Sequence, residues 1–240
     1  MKTYAIQGIL ALLLLVSACD FKIKEKEFTG EMGAKDMALA DFTQLVLKGA
    51  FDVYIAQGDD PSIEISGDES LVEKVEVSQS GDVLTISLKR PKEDVKLTND
   101  LKISLTVNQL EQLKFDGAGQ VKSTQRLGVR DLKISGNGVG NIELDLDANS
   151  VEAVLNFVGK MELTGDTERL LLKNEGVGNI DASKLIAKDC QVESSGIGAV
   201  SIHCTGELSL DMSGIGTVSY KGNPTVVHEK VSGIGKVNRN

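Results

Sequence analysis

Carboxylates are the side chains of this sequence with the clearest chemical potential. Glu143, Glu162 and Asp181 recur at one position of a repeating pattern, with Lys122 before them and Ser201 and Ser219 after, and Asp145 stands two residues beyond Glu143. On successive strands of a stack these acids are about one strand spacing apart, and like charges that close disfavour full ionisation unless a cation or a lysine intervenes. Two chemistries fit. Glu143, Asp145, Glu162 and Asp181 are weak candidates for a shallow Ca²⁺ or sugar site, and paired carboxylates also serve polysaccharide hydrolases and lyases as general acid and base. Beside both stands a plainer reading, a solvated acidic face on an acidic protein. With no Trp, 3 Tyr and 6 Phe, the chain is short of the amphipathic rings that recognition surfaces favour. His203 and His228 fall in outward columns on different walls and form no metal pair. Catalytic residues, metal and cofactor are accordingly expected to be none. Lys122 and Lys160, near the acids in register, keep the enzyme alternative open.

What positions these residues is a short stretch that occurs in seven copies. Its clearest forms are Ser195-Gly196-Ile197-Gly198-Ala199-Val200, Ser213-Gly214-Ile215-Gly216-Thr217-Val218 and Ser232-Gly233-Ile234-Gly235-Lys236-Val237. Gly117-Ala118-Gly119, Gly138-Val139-Gly140 and Gly176-Val177-Gly178 repeat it, and Phe157-Val158-Gly159 lacks the first glycine. Gly-x-Gly followed by a helix can cradle a dinucleotide, but no helix follows here and the motif recurs in every repeat. The aspartate of calcium-binding nonapeptide repeats is absent as well. These glycines are read as structural corners, where positive φ and close backbone approach are needed.

Aligned on the first corner position, the copies generate columns. Four places on stand Val121, Ile142, Met161, Ile180, Val200, Val218 and Val237; four places before stand Leu113, Ile134, Ala153, Leu172, Val192 and Leu210. Polar residues alternate with them, the period-two pattern of strands. A coil of about 19 residues cannot bury such columns alone and must stack on its neighbours. The expected fold is therefore all-β, a right-handed parallel β-helix. A leucine-rich repeat has a similar period, but no copy holds a segment with helical periodicity.

At its start the chain shows a different pattern. Lys2 precedes an apolar run from Ala5 to Val16, too short to span a bilayer comfortably, which marks residues 1–18 as a signal peptide. Val16-Ser17-Ala18-Cys19 resembles the lipobox of bacterial lipoproteins, which implies cleavage before Cys19 and lipidation of its sulfur. Residues 19–40 are expected to be the lipidated N-terminus and a charged tether, and 41–240 the β-helix domain, irregular over 41–109 and regular over 110–240. The formal net charge of −9 argues against nucleic acid and against adhesion to anionic headgroups, leaving the lipid anchor as the membrane contact. Cys190 and Cys204 lie in inward columns of one coil, where either two buried thiols or a disulfide is possible, with thiols favoured.

Phe42 to Gln57 carries the corner offsets in degenerate form, around Gly49-Ala50-Phe51-Asp52-Val53. Residues 58–109 keep strand patterns without the period, consistent with irregular coils or with capping hairpins. At the other end, Lys236 and Arg239 put charge on the terminal strand, which discourages end-to-end pairing.

The Ser-Gly-x-Gly corners, the Tyr220-Lys221-Gly222-Asn223-Pro224 turn and the lipoprotein start together resemble the head GIN domain family, named for a supposed auto-transporter adhesin role. The likeness covers about Phe42 to Val237 and departs at Phe157. It implies the β-helix and brings no catalytic residues with it. The function expected is that of a lipid-anchored, non-catalytic cell-envelope protein, on the outer membrane and periplasmic or surface-exposed. It would act as a binding, adhesion or structural module facing a glycan or protein partner. The alternative is a carbohydrate-active enzyme using the acidic face.

Overall fold

The computed structural model describes residues 32–89 and 101–240. The expected signal peptide, Cys19 and the start of the expected tether lie outside the described residues.

The chain forms β1 (Met32–Ala38), β2 (Gln44–Ala50), β3 (Asp52–Gln57), β4 (Ser62–Asp68), a helical turn α1 (Glu69–Val72), β5 (Val75–Ser80), β6 (Val83–Leu88) and β7 (Lys102–Val107). The long strands β8 (Gln112–Ser123), β9 (Leu127–Asn174) and β10 (Val177–Ser194) follow. Shorter ones close the chain: β11 (Ile197–Cys204), β12 (Glu207–Met212), β13 (Ile215–Lys221), β14 (Thr225–Val231) and β15 (Ile234–Arg239). From β8 onward every ladder between strands is parallel, giving a solenoid of about 6 turns. Corners stack on corners: Gly178 pairs with both Gly159 and Gly198, Gly198 with Gly216, and Gly216 with Gly235.

The apolar columns read from the sequence line the interior. Leu113, Ile134, Ala153, Leu172, Val192 and Leu210 are buried, as are Val121, Ile142, Met161, Ile180, Val200 and Val218. A fully buried aliphatic side chain of this size contributes about 1.5–3 kcal/mol, so burying the columns is what drives stacking.

The two glycines of a corner do different work. The second takes positive φ in most coils, 141° at Gly198, and a Cβ there would lie 1.7 Å from the Gly178 carbonyl oxygen. The first lacks positive φ at Gly176, Gly196 and Gly214. That is why Phe157 can occupy the first position while Gly159 keeps the second. A Cβ on Gly136 would come within 3.1 Å of the Leu155 side chain, so Gly136 makes room for Leu155, with the Phe157 ring at ordinary contact distance beyond.

Below the regular coils the chain does both things that the sequence left open. β2 and β3 stack parallel on β8 as a first coil, with Gly49 on Gly117 and Val53 on Val121. β6 and β7 add a further parallel layer beneath β2 and β3. Antiparallel strands then close this end, β5 on β6 and β4 on β7, with β1 outermost on β4. Met32–Ala38, expected within the tether, belongs to the sheet, because its backbone finds a full antiparallel partner in Ser62–Asp68.

The opposite end is closed by charge. In the column of Val192 and Leu210 the last coil carries Glu229, and in the column of Ile202 and Tyr220 it carries Arg239, whose guanidinium donates to Asn223 at 2.8 Å. Charges in inward columns add to Lys236 in discouraging a second stack from continuing the core.

Candidate functional site

Corner geometry places the carboxylates of the first motif on the wall that follows each corner. Glu162 pairs with Asp181 across adjacent coils, and Lys122 pairs with Glu143. Lysines intervene at Glu143 and Glu162. Lys122 Nζ lies 2.8 Å from Glu143 Oε2, while Glu162 receives Lys160 at 2.7 Å and Lys184 at 3.1 Å. Arg126 bridges Asp145 and Asp166, each at 3.1 Å, and Asp181 accepts the Ser183 backbone N–H. Hydrogen bonds from Lys160 and Lys184 hold the Glu162 carboxyl below its ordinary range. The bond to Glu143 raises Lys122, and the bond to Glu162 raises Lys160. The effect expected from crowded acids is therefore reversed at Glu162, because two lysines reach its carboxylate. Among the described residues no group of three or more His, Cys, Asp or Glu, these four acids included, is arranged to hold a metal ion.

The wall that precedes the corners, towards the C-terminal end, is built differently. There a shallow groove of about 550 Å³ crosses four coils. Its outward residues form three columns in register. Lys173, Glu193, Asp211 and Lys230 make the central one. Gln191, Ser209 and His228 flank it on the side away from the corner, and Glu175, Ser195 and Ser213 on the corner side. Glu193 and Asp211 face each other across one strand spacing with a lysine at each end of the column. Lys173 is drawn to Glu175 at 3.1 Å and its pKa is raised by that bond; Glu193 accepts the Gln191 amide at 3.0 Å, and Lys230 stands 3.5 Å from Asp211. Donors and acceptors thus alternate along an open, half-exposed surface, an arrangement suited to hydrogen-bonding a polar ligand.

A third feature borders this groove. The residue between each pair of corner glycines points outward, so Val139, Val158, Val177, Ile197, Ile215 and Ile234 form a ridge, each 46–75% exposed. Ile197 and Ile215 stand two residues beyond Ser195 and Ser213, at the groove edge. His203, on the wall after the corner, is held below the usual histidine range by partial burial and by Lys221, whereas His228 lines the groove.

Sequence reasoning found the carboxylates after the corners and passed over the groove. The signal was present: three outward columns before the corners hold only charged, amide, hydroxyl or imidazole side chains from Gln191 onward, and the same alignment displays them. The outward aim of the ridge had no such signal, since an aliphatic residue between glycines is compatible with either side of a bend.

Residues 41–224 match the model of a family described as putative auto-transporter adhesin, head GIN domain. The match ends before the last coil, short of the Val237 expected from the corners. No curated protein matches the chain. Among solved structures, a putative adhesin from Bacteroides fragilis NCTC 9343 is 24% identical with a TM-score of 0.84, over 89% of this chain and 99% of that one. Two proteins from Parabacteroides distasonis ATCC 8503 are each 22% identical. A putative adhesin gives a TM-score of 0.67 over 89% of this chain and 98% of its own; a putative lipid binding protein gives 0.68 over 88% and 98%. At these identities the likeness is one of fold.

Proposed function

Since the chain belongs to the head GIN domain family, we propose that it is a non-catalytic binding module of the cell envelope, anchored through lipid on Cys19. Its groove is the surface offered to a glycan or protein partner. The observation that carries this reading is the groove itself, an open polar surface across stacked coils with an apolar ridge along its edge. A polar floor beside an apolar rim supplies hydrogen bonds and desolvated contact together, as recognition surfaces do. A rigid solenoid adds that little conformational entropy is lost on binding.

The carbohydrate-active alternative needs a positioned acid and base near a substrate. The acids after the corners are instead tied to Lys122, Lys160, Lys184 and Arg126, which favours charge balance over proton transfer.

Anchoring is tested by metabolic labelling with a fatty acid: the wild-type chain takes up label and Cys19→Ala does not, and a labelled variant would refute the anchor. Binding is tested on a glycan panel and on envelope extracts with Ile197→Ser/Ile215→Ser. Weakened capture with unchanged melting is expected; capture at wild-type strength would take the ridge out of the interface.

A further inference from the structure

Cys190 and Cys204 take no part in the groove or in the charge ladders, yet they are placed together. Both are buried, Cys190 at the turn before the groove strand and Cys204 at the matching turn one coil on. Ladder register brings the turns into contact: Cys204 stacks on Ala187, and Leu208 stacks on Cys190. The Gly206 N–H donates to the Lys188 carbonyl at 2.7 Å, and the Cys204 thiol lies 3.3 Å from that same oxygen, two residues before Cys190. Each thiol also senses the other. Contact with Cys204 and burial raise the Cys190 thiol, and the same contact lowers Cys204. Both cysteines are free thiols in this structure, and register sets them at one turn of adjacent coils, the neighbourhood from which a disulfide closes.

The geometry points to an intrachain disulfide between Cys190 and Cys204 as the oxidised form of this coil, made by exchange with a disulfide donor. The envelope location proposed above enters only as the source of that donor. The Cys204 thiolate attacks one donor sulfur, so the donor S–S bond breaks, a mixed disulfide forms and one donor thiolate leaves. The Cys190 thiolate then attacks Sγ of Cys204, the Cys190–Cys204 bond forms and the second donor thiolate leaves. Two cysteine thiols are oxidised, the donor is reduced to two thiols, and the protons lost by the cysteines end on them. Burial of both sulfurs in the finished stack places the exchange before the coil closes, during folding. The bond ties the turn that leads into Gln191–Ser195, the strand that floors the groove, to the matching turn one coil on.

The test refolds the full chain from denaturant in mixed oxidised and reduced glutathione, alkylates remaining thiols and maps peptides by mass. The linked Cys190–Cys204 peptide is expected to predominate, with a thermal midpoint roughly 5–10 °C above that of protein refolded in reductant. Cys190→Ser and Cys204→Ser should each abolish the dependence of the midpoint on reductant. Should either variant fail to fold, the wild-type peptide map decides alone. Alkylation of both cysteines, a link from either one to Cys19 or to glutathione, or a lower midpoint for the linked form would overturn the proposal. A link formed in the refolded chain but absent from protein isolated from cells would leave the pairing standing and count against the envelope location.

Discussion

The two walls that meet at each glycine corner share one backbone register and one period, yet they dispose of charge in opposite ways. After the corner, Glu143, Asp145 and Glu162 each hold a basic partner at hydrogen-bond distance. Before the corner, Glu193 leans on an amide and Asp211 on a lysine at 3.5 Å, and both open onto a groove with hydroxyls and an imidazole. A stacked sheet places identical columns one strand spacing apart, so any repeated charge must be answered within the stack or by something outside it. One wall answers its charges internally; the other leaves donors and acceptors for a partner.

Both walls hang from the corner, so breaking the corner should affect them most. Gly198→Val forces a β-branched residue to φ 141° and sets a Cβ 1.7 Å from a backbone oxygen. The expected loss is roughly 3 kcal/mol, the upper end for a strained position. Gly196→Val also sets a Cβ close to backbone, 2.1 Å from the Gly176 carbonyl oxygen. It should still cost less, because Gly196 has no positive φ and Phe157 already occupies this position in another coil. Thermal melting of the two variants checks the order, and equal losses would mean that φ is not what distinguishes the glycines.

A smaller gain is expected just inside the groove wall. Asn174 is buried between neighbouring coils and its Nδ2 donor has no partner among the described residues, although its oxygen accepts the Gly176 N–H at 3.3 Å. Leaving a buried donor unpaired costs about 1–3 kcal/mol. Asn174→Leu, which gives this coil the residue type of Leu155 in the same column, should raise the denaturation midpoint by the equivalent of about 1 kcal/mol. A drop measured in urea would show that the accepted hydrogen bond outweighs the orphaned donor.

Least of all should change on the paired wall. Glu162→Gln removes the acceptor of two lysines, and exposed pairs of this kind are worth about 0.2–1 kcal/mol. Lys160 and Lys184 depress the folded pKa of Glu162, so its contribution is present above the ordinary carboxylate pKa and is lost as pH falls through the depressed value. The variant and the wild type should converge in stability below that point, and a gap that persists in acid would assign the effect to packing.

Much of the fold was legible because a solenoid writes its core as columns: Leu172, Val192 and Leu210 announce their burial by recurring at one offset. What had no period stayed illegible. Antiparallel pairing of Met32–Ala38 with Ser62–Asp68 depends on contacts that no repeat encodes, so the strand reads as tether. Glu229 and Arg239 look like surface charges until register places them in the columns of Leu210 and Tyr220. For the site, the carboxylates were visible as residues, but their partners were only half visible. Lys160 is close in sequence to Glu162, while Lys184 reaches it from 22 residues away and only through stacking.

The claim that the groove wall binds and the paired wall does not is tested most directly by one binding experiment on a glycan panel, with release of free sugar followed in parallel. Wild-type protein and Glu162→Gln should capture the same ligands, Asp211→Lys should lose them while melting normally, and no sample should release cleaved sugar. Cleavage by the wild type that disappears in Glu162→Gln, or capture unaffected by Asp211→Lys, would contradict the account.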